Sequence, residues 1–205
     1  TINTGFPIDL QIGRWMGAGA DNNIVHDRLR GVNSTTTNSS QPVLKTNATS
    51  AESNLGSANY GFNNTGFLVG ANNINNGWAI NFKRAPGFMD VVCYTGNGTA
   101  GRSITHNLTV APTLIIMKNR TTFSYQWSVY QSSIFNVGGK YELILNSDVE
   151  QRDSNYTNTP FSTSTAPTVT QFTLGSGSAC NSASSTYVAY LFATLAGVSK
   201  VGSYT

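Results

Sequence analysis

Charge is scarce in this chain. Of 205 residues, 12 are Lys or Arg and 9 are Asp or Glu, a net charge of +3. Coiled coils and helical bundles draw on Lys and Glu, and this composition has little of either. The basic residues fall in short groups, Arg28-Leu-Arg30, Lys83-Arg84 and Lys118-Asn-Arg120. None is a run that neutralises several phosphates, so no nucleic-acid partner is expected. Cysteine is nearly absent: Cys93 and Cys180 stand alone, with no CxxC. A zinc site needs three or four ligands, and two His with two scattered Cys do not supply a recognisable set. No apolar run approaches the roughly 18 residues of a membrane helix. The longest, Val188–Val198, is short and contains Thr194. No membrane insertion is expected.

What is abundant is Asn, Ser and Thr, 23, 22 and 25 residues, together with 20 Gly, 10 Phe, 9 Tyr and 3 Trp. So many aromatics oppose disorder. Val, Ile, Thr, Tyr and Phe between clusters of Gly, Asn and Ser are strand and turn material. The expected fold class is all-β.

The chain also resembles itself. Residues 78–95 read WAINFKRAPGFMDVVCYT and residues 188–205 read VAYLFATLAGVSKVGSYT. At an offset of 110, six of 18 positions are identical without a gap: Ala79/Ala189, Phe82/Phe192, Gly87/Gly197, Val91/Val201, Tyr94/Tyr204 and Thr95/Thr205. Upstream the match continues with indels: Ile2 with Ile104, Leu10 with Leu114, Val25 with Val129, Val43-Leu44 with Leu143-Ile144, and Phe67 with Phe172. Self-similarity at a fixed period is read before any local feature. It gives two tandem β-sandwich-like repeats of about 100 residues, copy 1 over 1–98 and copy 2 over 99–205. Thr1 opens inside the first copy and Thr205 closes the second, which suggests a processed or partial chain from a longer array.

Seven short strands are expected per copy, ending in Trp78–Phe82 and Asp90–Tyr94, then Tyr187–Phe192 and Lys200–Tyr204. Trp78, Ile80 and Phe82 share one face by alternation, as do Val188, Tyr190 and Phe192. Phe82 and Phe192 are expected to be buried at equivalent places. Gly87 and Gly197 read as turn positions requiring positive φ. Residues 31–41 and 155–167, rich in Ser, Thr and Asn, read as surface loops.

Several apparent motifs dissolve on inspection. Gly96-Asn-Gly98-Thr-Ala-Gly101 spells GxGxxG, but a dinucleotide site needs a helix next, and Ile104–Leu108 reads as a strand. His26 aligns with Tyr130, and His106 with no histidine, so nothing favours a nucleophile. Asp148 and Glu150 would be the only carboxylate pair on one extended face, and Ala48 and Ser50 replace them in copy 1. No cofactor, metal or enzymatic activity is expected.

Two stretches carry a resemblance. They are Phe82-Lys-Arg-Ala-Pro-Gly-Phe88 with Tyr94-Thr-Gly-Asn-Gly98, and Ile104-Thr-His-Asn-Leu108 with Ala111-Pro-Thr-Leu-Ile-Ile-Met-Lys-Asn-Arg120. They resemble a repeat domain of unknown function found in large structural and tail-fibre-type proteins of marine tailed phages. The resemblance implies a virion structural protein: a fibre, appendage or adhesion module. A capsid decoration protein or extracellular filament subunit is the alternative, and a glycan-degrading enzyme the alternative from another class. It implies location on the virion, with homo-oligomerisation, other virion proteins and a host surface glycan as partners. For glycan stacking the candidates are Tyr156 and Phe161, aromatics in the polar loop of copy 2; the competing reading is that they anchor that loop.

Overall fold

A computed structural model describes residues 2–15, 22–32, 41–55, 60–69, 77–135, 141–153, 161 and 165–202. Among them the regular secondary structure is nearly all β: every paired strand is antiparallel, and the single helix, α1 (Ser132–Phe135), is one turn. The chain divides into two compact units, Thr1–Lys83 and Arg84–Thr205.

Unit 1 contains β1 (Ile2–Asn3), β2 (Leu10–Trp15), β3 (Asn23–Asp27), β4 (Gln41–Lys45), β5 (Ser53–Leu55), β6 (Tyr60–Phe62), β7 (Gly66–Val69) and β8 (Gly77–Phe82). They form a three-stranded sheet ordered β1-β7-β6 and a five-stranded sheet ordered β5-β4-β3-β2-β8. Ile2 lies opposite Phe67, and Leu10 lies between Asp27 and Phe82. Ile8, Val32, Phe62 and Phe67 make a small core, with Phe6 and Ala79 packed on it. Gly66 crosses Ile2 so closely that a Cβ would lie 2.0 Å from the Ile2 carbonyl oxygen. A buried ionic group holds the turn after β3. The Arg30 guanidinium bonds the Asp27 carboxylate, Glu52 (3.0 Å) and the Val25 carbonyl (2.8 Å), while Asp27 also accepts the Arg30 N–H. Buried charges persist only when paired and hydrogen-bonded in this way.

Unit 2 contains β9 (Met89–Thr95), β10 (Arg102–Thr105), β11 (Leu114–Asn119), β12 (Ser128–Gln131), α1, β13 (Tyr141–Ile144), β14 (Arg152–Asp153), β15 (Gln171–Leu174) and β16 (Thr186–Phe192). The sheets are a β10-β15 pair and a six-stranded sheet ordered β14-β13-β12-β11-β16-β9. Ile104 lies opposite Phe172, and Leu114 lies between Gln131 and Phe192. Side chains of both sheets meet in one core that includes Ile104, Phe172 and Leu174 from the pair and Ile115, Met117, Tyr130 and Leu191 from the large sheet.

Several details differ from expectation. The units divide at 83/84 and not at 98/99, so β9 pairs within unit 2, and Lys200, Val201 and Gly202 of the expected last strand lie outside any strand. Phe82 and Phe192 are only half-buried, because each ends its strand. Leu44 lies opposite Val25 and Leu143 opposite Val129, so Leu44 answers to Leu143, one residue away from the match of Val43-Leu44 with Leu143-Ile144. Gly87 and Gly197 do take positive φ, 74° and 76°.

Candidate functional site

The two stretches that carry the family resemblance meet in space. β9 begins after a turn at 85–88, closed by backbone bonds between Ala85 and Met89. Gly87 N–H donates to the Leu108 carbonyl at 2.7 Å. The buried Asp90 carboxylate accepts from Val91 N–H (2.9 Å) and from Asn107 N–H (2.8 Å). Arg84 Nη1 stands 3.7 Å from the same carboxylate. Arg84, Ala85, Pro86, Met89, Asp90 and Asn107 line an open cleft of about 220 Å³.

His106 sits next to this cleft with both ring nitrogens occupied. Nδ1 lies 3.2 Å from Leu108 N–H and accepts it, so Nε2 carries the proton and donates to the Thr168 carbonyl at 3.2 Å. Burial lowers its pKa, against the raising pull of Thr168 and Asp90, and the neutral ring is the favoured form. A general base needs a free lone pair directed at substrate. His106 has none to offer, and Asp90 is committed to two backbone N–H groups. The arrangement stitches two loops together and presents one partly exposed guanidinium.

A second polar hub lies at the turn between β9 and β10. Asn181 is fully buried and binds that turn through Asn97 N–H (3.0 Å) and the Thr99 carbonyl (2.8 Å), with a further bond to the Gly175 carbonyl (3.0 Å). Gly98 N–H donates to the Asn181 carbonyl at 2.6 Å. The apparent dinucleotide motif is therefore this turn, and β10 follows it rather than a helix. Gly96 passes so close to the 181–182 backbone that a Cβ would stand 2.1 Å from the Ser182 carbonyl oxygen. Asn181 escaped the sequence reading because a lone Asn in an Asn-rich chain carries no signal.

Unit 2 also buries groups that ordinarily carry charge. Glu142 points inward from β13 with no hydrogen-bond partner for Oε2 among the described residues, and burial pushes its pKa up to about 7, against the pull of Arg152 and Ser128. Lys118, fully buried on β11, donates to the Tyr125 carbonyl, and burial lowers its pKa to about 8. In unit 1, burial lowers the His26 pKa to about 3, assisted by Arg30, while its Nδ1 lies 3.2 Å from the Pro42 carbonyl. Such shifts gather at active sites but also follow from simple burial. Among the described residues, no group of three or more His, Cys, Asp or Glu could hold a metal ion.

Phe161 is 3% exposed and its ring lies 5.3 Å from that of Tyr130, inside the unit 2 core. A ring so placed anchors its loop and offers no face to a sugar. Tyr156 lies outside the described residues. Asp148 and Glu150 stand exposed on the loop after β13. Cys93 lies on β9 opposite Val188, Cys180 lies in the core, and no disulfide joins them.

Residues 78–205 match the model of a domain of unknown function, DUF7483, which covers well over half of the chain. The chain belongs to this family. The DUF7483 match opens within β8 and takes in all of unit 2, so the Arg84–Asp90–Asn107 cleft and the Asn181 hub both fall inside it. No curated protein and no solved structure matches the chain. No helix among the described residues is long and apolar enough to cross a membrane.

Proposed function

We propose that this chain is a structural module of a tailed-phage virion, a fibre, appendage or adhesion element built from tandem β-sandwich-like domains. One observation carries the reading: strand order and register run in parallel in the two units. The order β5-β4-β3-β2-β8 has its counterpart in β14-β13-β12-β11-β16, and β1-β7 in β10-β15. The Ile2–Phe67 and Ile104–Phe172 pairs are the same aligned residues, as are Leu10–Phe82 and Leu114–Phe192. Off the ladder, Asp9 N–H donates to the Phe82 carbonyl and Thr113 N–H to the Phe192 carbonyl, each at 2.9 Å. A duplicated domain lengthens a protein without enlarging its core, the economy of repeat architectures.

The polar groups of the cleft favour a scaffold over a catalyst, because the hydrogen bonds of Asp90 and His106 go to backbone groups. The resemblance to phage tail-fibre-type proteins supplies the virion setting. Mass spectrometry of purified particles of a phage encoding this chain, with immunogold labelling, tests the reading. The expected result is a stoichiometric virion component, with label on an appendage. Absence from purified particles overturns it, and label spread over the head replaces the appendage with a capsid decoration protein.

A further inference from the structure

The two large sheets differ at one edge. In unit 2, β16 is covered on its outer side by β9, from Thr186↔Thr95 to Phe192↔Met89. In unit 1 the aligned strand β8 is the last strand, and among the described residues nothing pairs with its outer side. Side-chain exposure follows the same division. Val188 and Tyr190 are 0% and 3% exposed, while Trp78 and Ile80, their counterparts at the offset of 110, are 44% and 51% exposed. An open edge strand with apolar side chains is a template for strand addition.

The chain also carries a second sequence segment of the β9 type. Residues 199–205 align with 89–95, with Val201, Tyr204 and Thr205 identical to Val91, Tyr94 and Thr95. Both segments leave the preceding strand through the same turn: Ala85 bridges Met89 and Leu195 bridges Ser199, around Gly87 and Gly197 of matching φ. The β16 edge is already occupied by β9, and residues 199–202 do not pair there. Lys200, Val201 and Gly202 lie outside any strand, and the bonds of 199–202 run to the turn before them, as from Val201 N–H to Thr194 Oγ1.

We propose that the outer edge of β8 receives residues 199–205 of a second copy of this chain as an added antiparallel strand. The β9–β16 ladder sets the register. Ser199 lies opposite Phe82, Lys200 opposite Asn81, Val201 opposite Ile80 and Gly202 opposite Ala79, as Met89 to Val92 lie opposite Phe192 to Ala189. Val201 then covers Ile80 as Val91 covers Tyr190, where both are buried. Donor and acceptor are different surfaces, so the contact is head-to-tail and need not close. The inference rests on the tandem-domain part of the function proposed above and is independent of the virion setting.

Disulfide trapping between full-length proteins tests it. Directly opposed residues of antiparallel strands have Cβ atoms about 4.5–5.5 Å apart, near disulfide range. One protein carries Ile80→Cys, a second carries Val201→Cys, and the two are mixed under mild oxidation, with the native protein and an Asn81→Cys partner as controls. Ile80 is exposed and Val201 follows the last turn, so neither change touches the core. The expected result is a disulfide-linked dimer joining 80 to 201 by peptide mapping, at least tenfold above the Asn81→Cys control. An excess of a peptide of sequence SKVGSYT should suppress it, and deletion of residues 199–205 should move the native protein's sedimentation toward monomer. An 80–201 link no stronger than the control, or association unchanged by the deletion, overturns the proposal. Either failure leaves the particle-composition test of the virion reading unaffected.

Discussion

Glu142→Gln should make the DUF7483 unit more stable at alkaline pH and leave it almost unchanged at acid pH. The side chain faces inward from β13, its Oε2 has no hydrogen-bond partner among the described residues, and burial raises its pKa from 4.5 to about 7. The folded protein therefore takes up this proton before the unfolded chain does. Stability from this group is complete below about pH 4.5 and is lost as pH rises toward 7, since the folded state then binds more protons than the unfolded. At about 1.36 kcal/mol per pH unit, the ionised carboxylate costs roughly 3 kcal/mol above pH 7. Gln keeps the shape and can keep the contact with Ser128, but loses the attraction of Arg152, so the net gain at pH 8 should be about 1–3 kcal/mol. Urea-dependent hydrogen exchange of peptides from β12 and β13, referred to intrinsic exchange rates at each pH, reads this locally. The gap between variant and native protein should be small at pH 4.5 and widen steadily to pH 8. A gap that stays constant with pH would refute the reasoning.

Unit 1 should respond to acid in the opposite sense. His26 has its folded pKa lowered from 6.5 to about 3, so the unfolded chain binds the proton first and stability falls as pH drops below 6.5. The loss should reach roughly 3 kcal/mol by pH 4, and His26→Asn should shrink it, read by exchange in β3. Arg30→Met removes the cation that pairs the buried Asp27 and the half-buried Glu52 and should cost about 3–5 kcal/mol in a thermal or urea melt; a loss under 1 kcal/mol would mean the network is solvated. Gly96→Ala should destabilise unit 2 by more than Gly98→Ala. The first drives a Cβ to 2.1 Å from the Ser182 carbonyl oxygen, whereas the second meets nothing closer than 3.7 Å and bears only the strain of φ 74°. That strain is about 1–2 kcal/mol, and the reverse order in melting temperature would count against the observed turn.

Much of the secondary structure was legible because it is local. The alternation of Trp78, Ile80 and Phe82 and the Gly-rich turns state strand and turn directly. The offset of 110 matched Phe82 with Phe192, the gapped upstream alignment matched Leu10 with Leu114, and these residues do lie beside one another in the two ladders. The polar sites were not legible. Asp90 and Asn181 act by binding backbone groups far along the chain, and nothing in a residue's neighbours announces which distant N–H it will meet. Phe161 illustrates the same limit: its polar surroundings in sequence suggested a loop face, and its contact with Tyr130 makes it core.

Sequence identity between aligned strands specifies pairing potential, while burial depends on what occupies the next position in the sheet. β8 and β16 show this directly. Both pair with the strand that begins at a matching leucine, and both turn at a matching glycine. Yet Tyr190 is buried and Ile80 is not. The difference cannot come from their own alternation, which is the same. β9 is what β16 has and β8 lacks: a strand read in sequence as the end of the first copy that builds its ladder in the second unit. Among the described residues the outer side of β8 is therefore the ladder position left open, and the strand addition proposed above would fill it with the backbone geometry that joins β9 to β16.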